Sequence, residues 1–328
     1  MSWRAAALTS LLVTLSNPAT WVVGLAGFLV RGGLVLFIVP IVILPTPVGL
    51  ANVIAPTLTA FVFGGVSPSF IALVAALSAV ILLWLVGGGR LAAGTEEALI
   101  AAVAADEDIA AGFGREPGAG GRAWRILVAR LIAYTPLAAA LAWGAARVVE
   151  VTYRELTAPS DAVTPVGLRV LREVPDAVAL IVGTWVVGEI VGALAARLIV
   201  LDRASIPGAL VRATGLLVRR PLTTLATFLV PSLVTAAVAI PAALAAGVAW
   251  DGLRVALVDS GPGNDAIVRG ALVLFILVWL GGLAATAVAV TWRHAAWTVE
   301  VLRGLGTFGA SGPARSGGWN GTDPSGTL

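Results

Sequence analysis

Residues 32–89 contain no Asp, Glu, Lys, Arg or His. A water-soluble domain has no use for so long an uncharged run, whereas two membrane-crossing helices and the turn between them fit inside it at about 20 apolar residues per crossing. Similar runs follow, and the charges gather in short gaps between them. Hydrophobic residues make up 59% of the chain and charged residues 12%, against about 25% charged in ordinary globular domains. The pattern predicts an all-α polytopic transmembrane bundle of about six spans, at 20–44, 70–87, 124–149, 177–200, 222–250 and 270–291. A single membrane domain over 1–304 is expected, followed by a Gly-, Ser- and Pro-rich tail, 305–328, with the composition of a disordered segment.

The gaps carry amphipathic stretches. Leu8, Leu11, Leu12 and Leu15 follow the spacing of one helix face, which favours a retained interfacial helix over a cleaved leader. Leu99, Ile100, Val103 and Ile109 predict a surface helix before the third span. Ile206, Leu210, Ala213 and Leu217 predict another before the fifth, with Arg212 and Arg219 opposite. The bundle therefore reads as three hairpins, each preceded by a cytoplasmic amphipathic helix. Residues 45–69 hold four prolines and Asn52 and read as a partly re-entrant loop or a seventh span.

All 21 basic residues are Arg. With the N-terminus inside, thirteen fall in inside segments and five in outside ones. Arginine bias sets orientation, so both termini are expected in the cytoplasm of a cell whose plasma membrane holds the chain. A compositional bias toward Ala, Gly, Val and Arg fits a GC-rich bacterial genome.

Several function classes are excluded. The net charge of +3, with no basic cluster interleaved with aromatics, gives no footprint for nucleic acid. No Cys is present, which removes disulfides, thiolate chemistry and Cys-bound zinc. The lone His294 falls beyond the last span, so no Ser–His pair is available at depth. Glu96-Glu97 is half of an acidic metal motif without its partners. No cofactor or metal is expected.

The polar groups inside spans are few. Glu189 lies near the middle of the fourth span, where a charge costs at least about 2.5–3.5 kcal/mol. Gly188, Gly192 and Ala196 form a small-residue stripe beside it, a surface for close helix packing, and Glu189, Ala193 and Arg197 line the neighbouring stripe. Arg31 lies at similar depth on the first span and is the expected ion-pair partner of Glu189. Arg130 and Arg197 are expected to snorkel to the cytoplasmic face. Arg212, Arg219 and Arg220 are candidates for contact with anionic lipid headgroups. Prolines 40, 136, 231 and 241 mark expected kinks.

Two segments repeat a plan. Thr9-Ser10-Leu11-Leu12-Val13 precedes Asn17-Pro18 and the first span; Thr214-Gly215-Leu216-Leu217-Val218 precedes Arg219-Arg220-Pro221 and the fifth. This order at 216–225, with Trp292-Arg293-His294-Ala295-Ala296-Trp297-Thr298 after the last span, resembles uncharacterised bacterial six-span proteins and the membrane part of some glycerophosphodiester phosphodiesterases. The resemblance implies a six-span fold and carries no catalytic residue, because that family's chemistry sits in a separate soluble domain. The reading that follows is a non-catalytic accessory or scaffold subunit whose partners are the bilayer and a protein or second copy. The alternative is a permease subunit with a polar path at Arg31 and Glu189, and a third, a carboxyl-dependent intramembrane enzyme acting on lipid.

Overall fold

A computed structural model describes residues 3–42, 67–105, 121–161, 163–258 and 265–309. Among them there is no strand. The helices are α1 (Trp3–Ser16), α2 (Ala19–Phe28), α3 (Leu34–Ile38), α4 (Pro68–Leu83), α5 (Gly89–Ala104), α6 (Ala123–Ala133), α7 (Thr135–Thr157), α8 (Val166–Glu173), α9 (Pro175–Leu201), α10 (Ile206–Arg219), α11 (Pro221–Val258) and α12 (Asp265–Gly309). Short π-helical segments at Leu29–Gly33 and Trp84–Gly88 join α2 to α3 and α4 to α5.

Five continuous stretches, Ala19–Ile38, Phe70–Ala104, Pro175–Leu201, Pro221–Val258 and Asp265–Arg303, are long and apolar enough to cross a bilayer. A sixth is formed by α6 and α7, bent by 41° at Tyr134. The bend has a local cause: Pro136 sits in the first turn of α7, where it has no N–H to donate back to α6. The chain is thus an all-α, multi-pass membrane bundle. The expectation of a re-entrant or seventh-span segment at 45–69 falls almost wholly outside the described residues, as does most of the tail; α12 runs on to Gly309.

Local signals set several boundaries. Ser67 Oγ accepts from Phe70 N at 3.2 Å and Pro68 opens α4, a serine cap with proline in the first turn. Ser205 caps α10 in the same way through Gly208 N. In the first span the interruption falls at Gly32, with φ of 110°, rather than at Pro40. A side chain at that φ meets its own backbone, so glycine fits and other residues are strained. α11 runs through Pro231 and Pro241 as one helix.

The packing is uneven along the spans. α4 is exposed over nearly its whole length, and so are the first halves of α9 and α12, whereas the second half of each is buried along with α5 and α6. One end is therefore a close-packed core built on Ile100, Ile126, Leu127, Ile190, Leu198 and Trp297. The other end presents apolar side chains outward, the surface a bilayer solvates. α11 and α12 form an antiparallel pair. Trp250 meets Phe275 with ring centroids 5.3 Å apart, and Thr235 Oγ1 donates to Ala289 O at 3.4 Å.

The expected amphipathic helices divide. α1 turns Ala6, Ser10 and Thr14 inward and leaves Leu8, Leu12 and Leu15 exposed; Trp292 Nε1 on α12 donates to Ser10 Oγ at 3.1 Å. Its leucine face is free to lie in the membrane surface. α10 buries Ala209 and Ala213 and packs Ile206, Leu210 and Leu217 on the core. The middle one differs from a surface helix. α5 continues from the second span, and Glu96, Leu99, Ile100 and Val103 are all buried.

Candidate functional site: a buried ion cluster

Glu96 is the centre of the arrangement, with 0% of its side chain exposed. Its two oxygens accept from three guanidinium groups. Oε1 takes Arg130 Nη2 at 2.8 Å and Arg197 Nη1 at 2.9 Å; Oε2 takes Arg31 Nη2 at 2.6 Å and Arg130 Nε at 2.8 Å. Arg130 thus grips the carboxylate with two parallel bonds, the geometry guanidinium groups favour. A buried carboxylate is costly unless its lone pairs are all satisfied, and here all four bonds come from cations.

Glu189 forms the second centre. It accepts from the Tyr134 hydroxyl and from Arg293 Nη2 at 3.4 Å, with Arg130 Nη1 at 3.9 Å. Arg130 therefore bridges the two carboxylates. The expected partner of Glu189, Arg31, pairs with Glu96 instead; both belong to the one cluster without a direct bond between them. Arg31 reaches Glu96 from the π-helical segment just before Gly32, and its Nη2 also lies 3.5 Å from Ala92 O.

The small residues of α9 have a specific task. Gly188 lies against the Tyr134 ring: a Cβ there would sit 2.9 Å from Cδ1 and 3.2 Å from Ala133 O. A Cβ on Gly192 would be 3.4 Å from Arg130, and Ala196 is fully buried. The stripe thus seats the side chains that hold Glu189. The adjacent stripe, Glu189, Ala193 and Arg197, lines the cluster. Arg197 does not snorkel. It is 1% exposed, because Glu96 lies within reach inside the core and Ala193 O and His294 O accept its remaining η bonds. Its Nε is buried with no partner. Arg130 is likewise turned inward.

His294, expected outside the spans, belongs to the cluster; its Nδ1 is 3.5 Å from Arg197 Nη2. Glu97 points elsewhere, and both its oxygens accept Arg122 N at 3.0 Å, so it caps the start of α6 from another helix. Of the three candidate headgroup arginines, Arg212 is paired with Asp202, Arg219 is exposed and Arg220 is half-buried. None approaches the cluster.

Five of the six spans meet at this point: the first through Arg31, the second through Glu96, the third through Arg130 and Tyr134, the fourth through Glu189 and Arg197, the sixth through Arg293 and His294. The space left among them is about 10 Å³, about one water molecule, and it opens outward beside the partly exposed Arg31 and Arg293. Among the described residues no group of three His, Cys, Asp or Glu side chains is placed to hold a metal ion. The chemistry on offer is ion pairing and anion recognition. No protein-family model matches the chain, and neither the curated proteins nor the solved structures yield a match.

Proposed function

We propose that this chain is a non-catalytic subunit of the plasma membrane that acts as an accessory or scaffold, with both termini in the cytoplasm. The observation that carries the reading is how tightly the ion cluster fills the space between the spans. Five spans are tied through two carboxylates, and the space left between them holds no solute larger than water. A translocation path would need room at this point, and a scaffold needs rigidity there. The long exposed apolar faces of the other end supply surface for lipid or for a partner's helices.

The test is reconstitution of wild type, Glu189→Gln and Arg31→Leu, with folding yield and solute flux measured together. Lost yield without flux in any protein supports the structural role. Normal yield with flux that the substitutions abolish ends it in favour of a permease. That second reading draws support from the break at Gly32 beside Arg31, a hinge-like position. Orientation is tested by labelling a tag in 150–176 from outside intact cells; labelling only after lysis inverts the assignment.

A further inference from the structure

The cluster is not electrically balanced. Arg31, Arg130, Arg197 and Arg293 face Glu96 and Glu189, four formal positive charges against two negative, and among the described residues no third carboxylate lines the cluster. Two surplus cations held this close in a water-poor setting repel each other and raise the cost of burial. The surplus is not spread evenly. Arg130 and Arg197 spend most of their donors inside. Arg31 and Arg293 are each 29% exposed, and among the described residues they engage partners only through Nη2, Arg293 at 3.4 Å. A guanidinium carries five N–H donors in a planar fork, so this rim offers two forks with unspent donors. Buried beneath it is the unpartnered Nε of Arg197.

The depth of the rim is set by the sequence. Residues 270–292 hold no charge, and at 1.5 Å per residue they cover about 35 Å, against about 30 Å of hydrocarbon. Arg293 is the first ionic group beyond that apolar length. On the third span, 131–146 are uncharged and cover about 24 Å before Arg130. By these two spans the cluster lies toward one end of the apolar zone, not at its middle, where the position of Glu189 along the fourth span alone places it.

We infer that Arg31 and Arg293 form an anion site that takes a phosphoryl group, either from an anionic lipid headgroup or from a soluble phosphate. The bound dianion or monoanion offsets the surplus charge, and paired guanidinium forks fit its oxygens. The site needs no opening of the packed interior, since both forks reach the rim.

The experiment uses the full chain in lipid-free maltoside micelles and follows melting temperature. Inorganic phosphate is titrated against chloride at equal ionic strength, and phosphatidylglycerol is added in a separate arm. A saturable rise with phosphate supports a soluble source; a rise with phosphatidylglycerol alone supports a headgroup. Arg293→Gln is expected to weaken either effect about tenfold, while Arg254→Gln, on the exposed pair with Asp251 near the far end of α11, leaves it unchanged. Should Arg293→Gln fail to fold, Arg293→Lys decides: it keeps the charge that faces Glu189 and loses the planar fork, so either effect is expected to weaken about threefold or more. No rise beyond chloride in either arm overturns the proposal, as does wild-type affinity in Arg293→Gln or, where that variant does not fold, in Arg293→Lys.

Discussion

Glu96→Gln is the substitution that most directly interrogates the cluster. The two side chains have nearly the same shape, so packing is preserved and only charge and lone pairs change. Each carboxylate oxygen accepts two guanidinium donors. However the amide is turned, one oxygen position becomes an NH2 group facing two N–H donors. Two of the four bonds are lost and replaced by donor–donor contacts, and the surplus positive charge rises from two to three. Breaking a buried ion pair by removing one partner costs about 3–5 kcal/mol, and the 0% exposure of Glu96 places this case at the upper part of that range. Glu189→Gln is the comparator. Glu189 is 17% exposed and its cationic partners stand at 3.4 and 3.9 Å, so about 1–3 kcal/mol is expected. Reversible unfolding in mixed micelles measures both. Adding Arg197→Met closes a double-mutant cycle, in which the pair should cost at least about 1 kcal/mol less than the sum of the singles. A Glu96→Gln protein within about 1 kcal/mol of wild type, or one more stable than Glu189→Gln, would refute the claim that Glu96 holds the spans together.

Other substitutions probe the supports. Gly188→Ala puts a Cβ 2.9 Å from the Tyr134 ring; a loss of about 1–3 kcal/mol is expected from overpacking, at least as large as that of Tyr134→Phe in the same unfolding assay. Gly32→Ala meets no neighbour within 4 Å, so its cost, about 1–2 kcal/mol, comes from φ alone, and Gly32→Asn should be milder. Glu97→Ala removes the cap on Arg122 N and should cost about 1–2 kcal/mol, with faster amide exchange in the first turn of α6. Outside the spans, the Thr164 hydroxyl and then Val163 N hold the Asp161 carboxyl below its ordinary range. The folded-state value is depressed, so the turn's stabilisation is present above about pH 4 and is lost as pH falls through the lower folded value. Exchange of the Val163 and Thr164 amides, followed downward from neutral pH, should accelerate in that window and become pH-independent, after correction for intrinsic rates, in Asp161→Asn.

The spans were legible because hydrophobic length is a local property, and lipid leaves helices as the only way to satisfy the backbone. The glycine stripe on α9 was legible for the same reason, as a spacing on one helix. The partner of Arg31 was not. Pairing depends on which helices meet and at what height, and a side chain of this length reaches either carboxylate. Glu96 reads as half of an acidic metal motif on a surface helix, a place where a carboxylate needs no partner. Yet Glu96, Leu99, Ile100 and Val103 follow i, i+3, i+4 and i+7, so a carboxylate lay on the apolar stripe itself. That spacing was the available signal for a buried, cation-held acid. Arg197 shows the converse error: snorkelling explains a terminal arginine until a buried acid lies closer than the interface does.

The bond between Trp292 and Ser10 joins residues 282 positions apart, which ties the order of manufacture to the finished architecture. At about 5–20 residues per second, α1 leaves the ribosome roughly 15–55 s before the helix that covers its Ser10 side exists. Until then its leucine face has a ready counterpart in the bilayer itself, so α1 can wait there for α12. A chain cut short before α12 would keep the Trp3 bond to Thr227 on α11 and lose the Trp292 bond to Ser10, so the seating of α1 is finished only when α12 arrives.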